Sequence, residues 1–99
     1  MAQFLVTYHG MGHPDPEAMA AARAAFQSWV ESVGDAVVDP GAPVSYVSQV
    51  ADGAPAAIAE ISGYSIIKAA SVDEARTLLA SHPFIARGGT LQIGECLGI

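Results

Sequence analysis

Two helix-start signals, each set between runs of β-forming residues, constrain this chain more than any other feature. The first is Asp15-Pro16-Glu17. Asp15 can accept hydrogen bonds from free backbone N–H groups as N-cap, Pro16 suits the first helical position, and Glu17 favours the positive end of the dipole. Met19, Ala22, Phe26, Trp29 or Val30, and Val33 follow at helical spacing, with Arg23, Gln27 and Glu31 elsewhere on the wheel. The spacing predicts a helix to about Val33, with Gly34 as its C-terminal cap. The second signal is Ser71-Val72-Asp73-Glu74, in which Ser71 and Glu74 each satisfy the other's exposed backbone N–H. The helix it opens carries Val72, Ala75, Leu78 and Leu79 as an apolar stripe. It stops near His82, because Pro83 disfavours a helical residue before it.

The β runs fall around these helices. Gln3 to His9 alternates, with Phe4, Val6 and Tyr8 on one face and Leu5, Thr7 and His9 on the other, as a strand covered on both sides would. VSYVSQV (44–50) reads as the second strand, GYSIIKAAS (63–71) as the third and TLQIGEC (90–96) as the last. GMGHPDP (10–16), DAVVDPGAP (35–43), Asp52-Gly53 and Arg87-Gly88-Gly89 carry the glycines and prolines of loops and turns, and the Ala-rich stretch 54–61 fits no element. The order is β-α-β-β-α-β. The right-handed crossover rule folds it into one α+β domain spanning 1–99, ferredoxin-like, with a four-stranded antiparallel sheet and both helices on one face. The other face is left uncovered although its strands stay largely apolar on both sides, which predicts an interaction surface. Two such sheets packed face to face, a homodimer, is the simplest remedy. At 99 residues the core is thin, since a domain of this size buries only roughly 60 to 65% of the surface of its unfolded chain.

Ten acidic residues against four basic give a formal net charge of −6, which repels phosphate backbones and anionic lipid headgroups. Neither nucleic acid nor a membrane is an expected partner. No run of eighteen apolar residues occurs, and MAQFLVTYHG lacks the basic flank, apolar stretch and cleavage site of a signal peptide, so the chain reads as cytoplasmic. The single Cys96 agrees with a reducing compartment.

Several motifs in order then point to a family: helix one with Trp29; Gly34-Asp35-Ala36-Val37-Val38-Asp39-Pro40-Gly41; Gly63-Tyr64-Ser65-Ile66-Ile67-Lys68-Ala69; and His82-Pro83-Phe84 followed by Gly88-Gly89-Thr90. Together they resemble the YCII-related, or DGPF, domain over nearly the whole chain. The resemblance implies a dimeric α+β barrel, in which two ferredoxin-like sheets face one another. Enzymatic members of that family, such as a dehydrochlorinase of hydroxyhydroquinones, are thought to use a His/Asp dyad, with the His in helix one and the Asp just before the Pro that ends helix two. Here Arg23 stands near the position of that His, and His82 stands where the Asp would be.

The residues that can carry chemistry are few. His82 has an unperturbed pKa of about 6.5, suited to acid or base catalysis, but in the last turn of a helix it also serves simply to bond the terminal carbonyls. His9, His13 and Asp15 share the region after strand one. The non-helical Gly10, Gly12 and Pro14 spoil a His-x3-His metal spacing, so no metal and no other cofactor is expected, and His9 and His13 are read as pocket-lining or solvated imidazoles. Arg23 can anchor an anion through its bidentate fork, or be solvated on the polar side of its helix. Tyr8, Tyr46 and Tyr64 can offer phenols to a cavity or pack with the hydroxyl at its rim. Trp29 reads as core, and Cys96 lacks neighbours that would make it a nucleophile. Two functions remain open. One is a cofactor-independent lyase- or isomerase-type enzyme for a small aromatic or lactone-like molecule, with His82, His13 or His9 as acid or base and Arg23, Tyr8 and Tyr46 binding substrate. The other is a non-catalytic module that binds a small ligand or a protein.

Overall fold

The computed structural model describes residues 1–10 and 15–98. Strand β1 (Ala2–His9) leads to helix α1 (Pro16–Val33), a single 3-10 turn (Gly34–Ala36) and strand β2 (Val37–Pro43); strand β3 (Gly63–Ala69), helices α2 (Val72–Leu79) and α3 (Pro83–Ala86), and strand β4 (Thr90–Glu95) complete the fold. The strands form one antiparallel sheet in the order β2-β3-β1-β4, an α+β arrangement compatible with the ferredoxin-like topology. Among the described residues no helix is long and apolar enough to cross a membrane.

Local chemistry sets the helix ends. Asp15 Oδ1 accepts from the Ala18 N–H at 2.8 Å and Pro16 opens α1; Gly34 closes it with φ +59°, a conformation that glycine adopts without steric cost. Ser71 Oγ accepts from the Glu74 N–H at 3.1 Å and opens α2. The core lies on one face of the sheet, where Phe4, Val6, Ile67 and Ala69 meet Trp29 of α1 and Ala75 and Leu79 of α2. Trp29 is thus core, and its indole N–H reaches across to the Leu78 carbonyl and Ser81 Oγ, tying the two helices together.

Three expectations need correction. The second strand is 37–43, not 44–50. The segment with two prolines and a Gly pairs with β3 because it lies on the sheet edge, where a proline's missing N–H costs no ladder bond. The β-prone stretch 44–50 comes after this pairing has ended and carries no regular structure; Val47 and Val50 project fully into solvent. Second, α2 ends at Leu79, and His82 caps the start of α3 instead of lying in the last turn of α2. Pro83, read as a stop, is instead the first residue of a new helical turn. Third, the uncovered sheet face is mixed rather than largely apolar. Leu5 and Ile66 are cross-strand neighbours there, and Thr7, Gln92, Gln3 and Lys68 share the face.

Candidate functional site

A cleft of about 330 Å³ opens between the helix layer and the sheet, at the end where β1 finishes and α3 begins. Tyr8 and Phe84 lie at its heart, with their rings stacked at 5.2 Å. Two glycines make room for them. Gly63 faces Tyr8 across the β1/β3 ladder, and a Cβ there would lie 3.3 Å from the phenol ring. A Cβ on Gly89 would fall 2.2 Å from the Phe84 ring, a distance no packing tolerates.

His82 is buried at the back of the cleft, 3% exposed, among the rings of Trp29 (4.5 Å), Tyr8 (5.1 Å) and Phe26 (5.5 Å). Its two ring nitrogens have different partners. Nδ1 accepts from the Phe84 N–H at 3.0 Å, so it carries no proton; the proton of the neutral ring is therefore on Nε2, which lies 3.0 Å from Tyr8 Oη and donates to it. The next links follow by the same count. Ser65 Oγ spends its proton on the Pro40 carbonyl at 2.8 Å, so Tyr8 is the donor in the 2.5 Å contact between Tyr8 Oη and Ser65 Oγ. A directed chain results, running from the Phe84 N–H through His82, Tyr8 and Ser65 to the Pro40 carbonyl, and among the described residues no buried side-chain polar atom lacks a partner.

Both titratable members of this chain are held neutral. Burial, with the Arg87 guanidinium adding to it, lowers the His82 pKa from 6.5 to about 4. Burial raises the Tyr8 phenol above its ordinary value of 10.0, partly offset by the hydrogen bond to Ser65. At neutral pH the cleft therefore presents a phenol and an imidazole without charge. Its cations stand at the rim: Arg23 of α1 and Arg87 just past α3, the latter with its guanidinium 5.5 Å from the centre of the Phe84 ring.

Of the residues singled out from the sequence, Tyr8, Arg23 and His82 come together on this cleft, and Tyr64 lines it too. His9 does not. It alternates onto the opposite sheet face, where its Nε2 lies 2.8 Å from Thr7 Oγ1, two residues back on the same side of the strand. Tyr46 borders a separate hollow with Gly10, Val44 and Glu60, having moved away with the displaced strand assignment. His13 lies outside the described residues. Asp15 is occupied as a helix cap, and no group of three or more His, Cys, Asp or Glu that could hold a metal ion occurs among the described residues.

The sequence reading missed Ser65, Pro40, Phe84 and Arg87. Ser65 had a usable signal, since it falls between Gly63 and Ile67 on the buried face of its strand, where a lone hydroxyl needs a partner. Pro83 carried another: at a first helical position it makes the preceding His82 the cap of a new helical turn. The chain was compared with family models, curated proteins and solved structures, and none matches it.

Proposed function

We propose that the cleft is the working site of a cofactor-independent enzyme of lyase or isomerase type, acting on a small aromatic or lactone-like molecule. The observation that carries this reading is the hydrogen-bond chain that passes through a cleft phenol, with His82 Nε2–H aimed at Tyr8 Oη. In this reading Tyr8 meets the substrate oxygen and His82 acts through it. A phenol that turns its O–H from Ser65 to a substrate oxygen and transfers the proton to it leaves negative charge on Oη, and the imidazole N–H is already in place to stabilise that charge. The motif order resembling YCII-related chains supports a small-molecule enzyme. It also supports the dimer, in which the sheet face bearing Leu5 and Ile66 packs on a second copy in the manner of a dimeric α+β barrel. The lone Cys96 is in keeping with a reducing cytoplasm.

The test is conversion of a panel of enol-lactones and hydroxylated aromatics, followed by proton NMR, with Tyr8→Phe and His82→Asn beside the parent. Loss of roughly a hundredfold or more in turnover for Tyr8→Phe is expected of a lost proton donor. Binding without conversion of any compound leads to the second reading, a non-catalytic small-ligand module, which one observation favours: both ring nitrogens of His82 are already engaged. Dimerisation is checked separately by sedimentation, where Leu5→Lys is expected to yield a folded monomer.

A further inference from the structure

The charged groups around the cleft are distributed very unevenly. The chain has ten acidic side chains and four basic ones. Two of the four basic residues, Arg23 and Arg87, line the cleft, and none of the described residues lining it is Asp or Glu. In a protein with a net charge of −6, the charged side chains that line the site are thus both cationic. Their charge is felt at the back of the cleft, where Arg87 contributes to keeping His82 uncharged. Beside these two arginines the cleft is lined by apolar groups, the stacked rings of Tyr8 and Phe84 with Phe26 and Met19.

We infer that the ligand of this cleft is a flat, aromatic monocarboxylate whose carboxylate is held at the rim by Arg23 and Arg87 and whose ring packs against Tyr8, which the buried Phe84 backs. The inference rests on the cleft being the working site and adds the charge of its occupant. A guanidinium offers a planar fork that matches a carboxylate's two oxygens, and Arg87 is steadied for that contact by its position over the Phe84 ring. A carboxylate at the rim leaves the opposite end of the ligand next to Tyr8 Oη, so a phenolic, carbonyl or lactone oxygen on the ring reaches the neutral donor chain. A volume of about 330 Å³ lies at the small end of ligand pockets and limits the body to one or two rings.

The experiment compares 2-naphthoate with its neutral amide, 2-naphthamide, and with a cation, 2-naphthylmethylammonium, on the full chain by backbone-amide NMR titration at pH 7.5 and low salt. The expected result is that naphthoate binds about tenfold or more tighter than the amide, the effect of one charge-assisted hydrogen bond, and that the ammonium compound binds weakest. Arg23→Gln and Arg87→Gln should each shrink the ratio of naphthoate to amide affinity toward parity. Equal affinity for naphthoate and the amide, with shifts at Tyr8 and Phe84, overturns the charge assignment and leaves the cleft as the working site. A preference for naphthoate that both variants retain overturns the roles of the arginines. Absence of shifts at cleft residues with all three compounds overturns this inference together with the assignment of the cleft as the working site.

Discussion

Acidification from pH 7 to pH 4 should destabilise the protein through His82. The imidazole is 3% exposed and its pKa is lowered from 6.5 to about 4. In the folded chain the ring stays neutral down to about pH 4, whereas in the unfolded chain it takes up a proton from about pH 6.5 downward. The unfolded state therefore binds more protons between these limits, and stability falls as pH falls. The contribution is fully present above pH 6.5, is lost progressively between 6.5 and 4, and changes no further below about 4, where both states are protonated. The gap corresponds to about 3 kcal/mol, a large part of the roughly 5–15 kcal/mol that holds a domain folded. The geometry gives a cause beyond burial: a proton on Nδ1 would break the bond from the Phe84 N–H that caps α3. Urea unfolding monitored by the fluorescence of Trp29, which packs on the imidazole, measures stability at intervals from pH 7.5 to 4.5. His82→Asn is the control, since Asn caps a helix well but does not titrate. The variant should be less stable at pH 7.5 by about 1–2 kcal/mol for the lost bond to Tyr8, and because the parent alone loses about 3 kcal/mol on acidification the two curves should converge and then cross as pH falls. Parallel curves across this range would refute the assignment of a neutral, Nε2-protonated His82, because the carboxylates and other histidines are common to both proteins.

Three further outcomes follow from the same contacts. Tyr8→Phe leaves the buried His82 Nε2–H without an acceptor, which should cost about 2 kcal/mol and lower Tm by about 10 °C in a calorimetric scan. Gly89→Ala places a methyl inside the Phe84 ring, so it should destabilise by about 1–3 kcal/mol and shift the Tyr8 and Phe84 ring resonances by pushing the stack apart. Asp15→Ala removes the side-chain acceptor for the Ala18 N–H, and should cost about 1 kcal/mol in chemical unfolding without moving the cleft resonances of His82.

Elements whose cause is local were legible in the sequence. The α1 start at Asp15-Pro16, its end at Gly34 and the α2 start at Ser71 each depend on one or two residues acting on their own backbone. Strands β1, β3 and β4 could be read because alternation and the glycine turns marked them. Strand β2 could not, because its placement is decided by a partner far along the chain. Val37 pairs with Ile67 and Ala42 with Tyr64. Propensity instead favoured 44–50, where the Val44 N–H bonds the Ser62 carbonyl but no strand forms. Part of the site was similarly legible: the alternation that put Tyr8 on the face of Phe4 and Val6 already separated it from His9, although the two residues are adjacent. That Tyr8 and His82, 74 positions apart, share a hydrogen bond needed the fold.

The misread strand also explains why the site has the form it does. Pairing between β2 and β3 slips twice, between Val37 and Asp39 and again between Asp39 and Ala42. Asp39 Oδ1 turns back to accept from the Gly41 N–H at 2.8 Å, and Gly41 takes φ +73°, where a Cβ would strike the Tyr64 carbonyl. Such irregularities on an edge strand take backbone groups out of the regular ladder. One of these groups is the Pro40 carbonyl, which accepts the Ser65 proton and so fixes the direction of every hydrogen bond back to His82. A regular strand here would spend that carbonyl on the sheet. Ser65 would then be free to donate to Tyr8, and the phenol would direct its own proton elsewhere. The Asp-Pro-Gly that makes 39–41 read as a turn is thus the same chemistry that orients the proton at the candidate site.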